Sequence, residues 1–276
     1  MRVPNSTRAF PFIQARQPSL PQLLVTAIVL IASTLTLVGR AAPASAEIPG
    51  CASVHSNYFD GFYYDTNAYQ DSWEGSSAYI VNRFGAVCDF GDTSAPDPGS
   101  NTIGTNFTTG WVMIAAANGI GWSQDGFIRG YNSPQYEWAQ VYDGKSTIYN
   151  MFPSSPTLAD GDVHAYRELY NAANGTIESS IDGQVFAVTN FNPFQTWNTA
   201  PNGSLSPQFS GETTYNESDV PGVSSSQTAF SALGAQSYIG DSLVSMPCEL
   251  TYNNKNPRWS HSASSCIAFN IWTENT

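Results

Sequence analysis

Positive charge is scarce in this chain. Its 276 residues hold ten Lys and Arg against 22 Asp and Glu, with three His. Four of the ten basic residues (Arg2, Arg8, Arg16 and Arg40) precede position 47, and all the acids follow position 46. Residues 47–276 therefore carry six basic and 22 acidic side chains, a formal charge of −16. A body of that sign is repelled by nucleic acid and by anionic membrane surfaces, so neither is expected as a partner. The four cysteines include no C-x-x-C pair, and His55, His164 and His261 are scattered, which argues against a zinc site or any other metal. A G-x-S-x-G turn and a phosphate-cradling Gly-rich loop are both missing, so serine-hydrolase and nucleotide chemistry drop out and no cofactor is implied. Beyond the N-terminal 46 residues there is no amphipathic helix of three turns. The acidity itself has two readings: solubility at neutral pH, or service in acidic surroundings where carboxylates titrate.

What is present begins with a leader. Arg2, Arg8 and Arg16 precede an apolar run from Leu23 to Val38, and Ala44-Ser45-Ala46 fits the small-residue rule for signal peptidase. The run is short and wrongly flanked for a stable membrane span. Residues 1–46 are thus expected to be a signal peptide and residues 47–276 a secreted, extracellular domain with no membrane attachment after processing. An even number of cysteines in an exported chain implies two disulfides. Cys51–Cys88 with Cys248–Cys266 closes two local loops. The nested pairing, Cys51–Cys266 with Cys88–Cys248, stays open. Asn106, Asn174, Asn202 and Asn216 begin N-x-S/T sequons, which matter only for a eukaryotic secretory route.

Three Asx-Gly pairs punctuate the middle of the chain: Asp143-Gly144, Asn174-Gly175 and Asp182-Gly183. Such pairs supply the positive φ angles of two-residue hairpin turns. They separate alternating runs: 136–142 from 145–151, then 176–181, then 184–188. Turn residues recur every eight to twelve positions or so, the rhythm of a sandwich or barrel. No internal repeat or long linker appears. The expected fold is all-β, a single jelly-roll sandwich of two antiparallel sheets. Helix is expected only for a turn or two, near Ser224 to Leu233.

Three segments carry candidate chemistry. Trp111-Val112-Met113-Ile114 is followed, after a Gly-rich turn, by Ser123-Gln124-Asp125-Gly126-Phe127-Ile128-Arg129. Alternation puts Gln124, Gly126 and Ile128 on one face of that strand and Ser123, Asp125 and Phe127 on the other. Next comes Tyr136-Glu137-Trp138, with Glu137 facing away from its two aromatic neighbours. The third segment is Ser210-Gly211-Glu212-Thr213-Thr214-Tyr215, followed by Val220-Pro221-Gly222 and Phe230.

In order and spacing these segments, from Trp111 to Leu233, resemble the glutamic peptidases (eqolisins, peptidase A4), acid peptidases built on a concanavalin-like sandwich. The resemblance implies that Gln124 matches the catalytic Gln that precedes a Gly, that Tyr136-Glu137-Trp138 matches the family's Tyr-Glu-Trp strand, and that Glu212 matches the catalytic Glu. The chain departs from the pattern at two points. Ala115-Ala116-Ala117 stands where a Gly-x-Asp-Gly turn is usual, and Thr213 follows Glu212 where a Trp is usual. The departures leave two expectations side by side: a working acid endopeptidase, and a relative that keeps the fold without the activity.

Peptide hydrolysis by a carboxylate needs a general base for water and a donor for the oxyanion. Glu212 can supply the first and the amide of Gln124 the second, with Trp111, Tyr136, Glu137 and Trp138 shaping the substrate cleft. Two other classes fit the same scaffold. A jelly-roll glycosidase would set Glu137 and Glu212 about 5–5.5 Å apart. A non-catalytic module would bind polysaccharide or protein, with Trp73, Trp122, Trp197, Trp259 and Trp272 as a platform. Polypeptide or extracellular polysaccharide is therefore the expected partner.

Overall fold

The computed structural model describes residues 50–274 except 54, 65–72, 91–94, 146, 154–156, 200–204, 238–241, 247–249, 255–257 and 266. The leader, Asn202, Cys248 and Cys266 lie outside the described residues. Strand dominates the rest. The first strands are β1 (Tyr58–Tyr64), β2 (Trp73–Val81), β3 (Phe107–Ala116), β4 (Trp122–Gly130), β5 (Gln135–Tyr142), β6 (Ile148–Met151), β7 (Val163–Asn171), β8 (Thr176–Ile181) and β9 (Gln184–Val188). A single helical turn α1 (Pro193–Thr196) follows, then β10 (Leu205–Thr213), β11 (Gly222–Val223), β12 (Ser226–Ser237) and β13 (Leu243–Ser245). The chain closes with β14 (Leu250–Asn254), β15 (Trp259–Ser265) and β16 (Ala268–Thr273).

These strands form two sheets. One has seven strands in the order β14-β1-β10-β3-β4-β5-β6, and the other runs β15-β16-β11-β12-β2-β7-β8-β9 with β13 beside β12. Among the described residues, pairing is antiparallel apart from a parallel bridge between β11 and β16. The expected all-β sandwich is what the sequence folds into. Alternation explains why. Val112 on β3, Phe127 on β4 and Phe209 on β10 point inward, where they join Ile80, Tyr166, Phe230, Phe269 and Ile271 from the other sheet in one buried cluster. The Phe230 and Phe269 rings stack with centroids 4.5 Å apart.

The Asx-Gly pairs act in three different ways. Asp182 and Gly183 take φ of 51° and 80°, so this pair alone makes the two-residue turn with both central residues left-handed, joining β8 to β9. At Asp143-Gly144 the Asp143 Oδ1 accepts from Lys145 N (2.9 Å) and Thr147 N (3.0 Å). That local competition widens the loop, and β6 begins at Ile148 rather than Lys145. Asn174-Gly175 ends a four-residue loop in which Gly175 N reaches back to Asn171 O at 2.8 Å.

The helix expectation needs correction. Ser224 to Leu233 is largely strand β12, held between β2 and β16, and tertiary pairing overrides any local helical tendency there. The described helical turn stands at Pro193, where the Asn192 side chain accepts from Gln195 N and Pro193 opens the helix.

Cys51 and Cys88 form the expected local disulfide, Cα–Cα 5.2 Å. Asn106 is buried beside it. Its amide donates to Cys88 O, and its Oδ1 accepts from Thr214 Oγ1 at 3.3 Å. That sequon is a structural amide, closed to glycosylation in the folded chain.

Candidate functional site

One face of the seven-stranded sheet covers the inter-sheet core, and the other is the sheet's outer face. Strand register arranges the outer face in rows. The first row runs Phe59, Glu212, Thr109, Ile128, Tyr136 across β1, β10, β3, β4 and β5. The second runs Gly61, Ser210, Trp111, Gly126, Trp138. The third runs Tyr63, Gln208, Met113, Gln124, Gln140 and, on β6, Asn150. Aromatic and aliphatic members of the first two rows pack into a cluster of their own around Trp111, Ile128 and Trp138, separate from the inter-sheet core.

Glu212 is 4% exposed, and its Oε2 accepts a hydrogen bond from Trp111 Nε1 at 2.9 Å. A charge-assisted bond of this kind fixes the carboxylate against the indole. Trp138 is also held by its indole, Nε1 donating to Thr109 Oγ1 at 3.1 Å, and Thr109 Oγ1 in turn donates to Phe127 O. Beside Trp111 lies a cleft of about 140 Å³, lined by Phe59, Gly61, Tyr63, Met113, Gln208 and Ser210. That volume takes about one side chain, well below a drug-sized pocket.

Gln124 shares the outer face with Glu212 but not its row. The two stand two strands and four residues apart, which is about 10 Å across the sheet and about 13 Å along it. Gln124 leans away from Glu212: its Nε2 donates to Gln140 Oε1 (3.2 Å), and Gln140 Nε2 donates to Asn150 Oδ1 (2.7 Å). The residue that shares Glu212's row on β4 is Ile128, fully buried. The structure thus brings Trp111 to Glu212 and sets Gln124 in an amide ladder with Gln140 and Asn150. The ladder partners escaped the sequence reading, although alternation from Trp138 already places Gln140 on the outer face.

Tyr136 and Trp138 keep the face expected of them. Tyr136 meets Phe152 edge-on at 6.3 Å. Glu137 is a correction: it points to the opposite face, toward β7, with His164 Nδ1 3.6 Å from its Oε1. A side chain on that face does not shape an outer-face cleft. For the same reason Glu137 and Glu212 lie on opposite sides of one sheet and do not form the carboxylate pair of a retaining glycosidase. The proposed Trp platform is also corrected. Trp73, Trp197 and Trp259 are buried, because large rings in this fold fill the core, and only Trp122 and Trp272 are partly exposed.

The inner face carries its own polar seam. Glu168 on β7 is fully buried and accepts from Ser123 Oγ of the facing sheet at 2.7 Å. Asp125 on β4, also fully buried, accepts from Arg167 N at 3.3 Å. Burial pushes the Glu168 carboxyl up to about 8, although hydrogen bonds from Ser123 and Ser179 oppose it. Burial also raises Asp125 well above the carboxylate range, and the nearby Glu168 charge adds to the rise.

No protein-family model matches the chain, and no curated protein matches its sequence. Solved structures do match its fold. Scytalido-glutamic peptidase with a transition state analog inhibitor superposes with a TM-score of 0.52 at 13% identity, covering 80% of this chain and 100% of that one. A second structure of that peptidase, with a peptide based transition state analog, gives 0.50 at the same identity and coverage. The fold is therefore that of the glutamic peptidases. The likeness agrees with the resemblance carried by Trp111, Gln124, Tyr136-Glu137-Trp138 and Glu212, and at this identity it is a likeness of fold alone.

Proposed function

We propose that this is a secreted polypeptide-binding protein built on the glutamic-peptidase fold, with the hydrolytic pair split. The observation that carries the reading is the row offset: Ile128, not an amide, shares Glu212's row on β4, and Gln124 is tied to Gln140. A base and an oxyanion donor must reach one substrate carbonyl, and groups separated by about 16 Å of backbone do not. What the outer face retains suits binding. Glu212 is a fixed acceptor, the cleft beside Trp111 takes one side chain, and the amides of the third row can pair with an extended backbone. The buried Trp111 and Trp138 rings favour a polypeptide over a sugar, since a stacking platform must be exposed. Secretion is part of the proposal, supported by the leader's composition and by the Cys51–Cys88 bridge.

The charge of residues 47–276 selects a basic partner. Titration of a short, tryptophan-free basic peptide, followed by intrinsic tryptophan fluorescence, is expected to saturate. Glu212→Gln should weaken binding about tenfold, the scale of a lost charge-assisted hydrogen bond. Unaltered affinity in that variant would remove Glu212 from the site.

A further inference from the structure

A second cavity, of about 330 Å³, lies on the inner side of β5, where β7, β8 and β9 meet it. Its ionisable side chains are Glu137, Asp162, His164 and Asp182, Thr157 and Gln184 add neutral polar groups, and Leu158, Ile181 and Phe186 supply an apolar wall. Nothing in the outer-face reading uses it.

The polar groups are unequally satisfied. Asp182 accepts from His164 Nδ1 (2.8 Å) and from Ala165 N (2.8 Å), and Arg167 lends it further positive potential. Asp162 accepts from Ala159 N at 2.8 Å. Glu137 is 8% exposed, and no described residue donates a hydrogen bond to it. The same His164 Nδ1 lies 3.6 Å from its Oε1, beyond hydrogen-bond distance and already given to Asp182. The Glu137 carboxylate therefore faces the cavity without a donor from the described residues. Burial raises the Glu137 carboxyl from its ordinary range, with His164 opposing and Asp182 and Asp162 adding to the rise.

We propose that this cavity binds an alkylammonium group, with Glu137 as the acceptor that the cation completes and the Leu158–Ile181–Phe186 wall taking the aliphatic stem. The chemistry excludes two neighbours of that class. A bare divalent ion needs converging ligands, and no three His, Cys, Asp or Glu among the described residues are placed to hold one. An anion would meet three carboxylates. An ammonium on a short aliphatic stem matches both halves of the cavity, as lysine does when its stem lies along an apolar surface and its head meets acids.

Calorimetric titration of the folded protein at neutral pH tests this with N-acetyl-lysinamide, n-butylammonium and the uncharged isostere N-acetyl-norleucinamide. The two ammonium probes should bind and the isostere should not. Tighter binding of the lysine derivative would mark a peptide-borne amine, and equal or tighter binding of butylammonium a free one. Glu137→Gln should weaken the ammonium probes by at least about tenfold. Phe186→Trp, which fills the cavity from its rim and leaves the acids in place, should abolish binding and serves if the first variant fails to fold. Binding of the isostere, or unaltered affinity in both variants, would overturn the assignment.

Discussion

Raising the pH from about 4.5 to about 8 should destabilise the folded protein by on the order of 4 kcal/mol through Glu168 alone. The sign follows from proton binding. An unfolded Glu ionises near 4.5, whereas burial keeps the folded Glu168 protonated up to about 8. Between those values the native state holds more protons than the unfolded chain, so stability is full below the window and falls through it. Asp125, raised in the same direction by burial and by Glu168, adds to the loss, and Glu137 adds a smaller part. Asp97, Asp182 and Glu217 are shifted downward and act oppositely, giving up stability only as the pH falls below the ordinary carboxylate range. The optimum is therefore acidic, near the lower end of the window. Urea unfolding at the two pH values measures the difference, and Glu168→Gln should reduce it while keeping a partner for Ser123. A stability that is flat or rising toward pH 8 would show that the buried carboxyls are not held protonated. An acidic optimum measured in this way would favour the second reading of the acidic composition, service in acidic surroundings.

The Cys51–Cys88 bridge should contribute a comparable amount by a different route. It spans 37 positions, for which the chain-entropy model gives about 4 kcal/mol. Its native surroundings add to that. Cys88 N donates to Ser218 Oγ (3.1 Å), Cys51 N pairs with Asp89 O (2.8 Å), and Ser53 Oγ donates to the Glu217 carboxylate (2.5 Å). The bridge thereby ties the chain before β1 to the segment that leaves β10 just after Glu212. Replacing both cysteines by Ala should lower the melting temperature by roughly 8–16 °C for a domain of this size. It should also loosen residues 217–219, which lose their brace. An unaltered melting temperature would mean that this loop is equally constrained without the covalent link.

Alternation and turn chemistry made the fold class and the faces of most strands legible. Gln124, Gly126 and Ile128 lie on one face, as expected, and Asp182-Gly183 makes the two-residue turn its residues demand. Register was not legible. Period two assigns a face but not a row, and the separation of Gln124 from Glu212 is a matter of rows. Glu137 illustrates a related limit. Its side was implied by its neighbours Tyr136 and Trp138, yet a motif read as a block placed it in the cleft with them. The Asp125–Glu168 seam joins β4 to β7 across the two sheets, and pairing of that kind leaves no local signature.

The central claim, that Glu212 and Gln124 do not act as a hydrolytic pair, is tested most directly by turnover of denatured casein at pH 4, with wild type, Glu212→Gln and Gln124→Ala compared. The account predicts binding of casein fragments with no cleavage above the buffer control in any of the three. Cleavage by the wild type that disappears in both variants would contradict it and assign the protein to the acid peptidases.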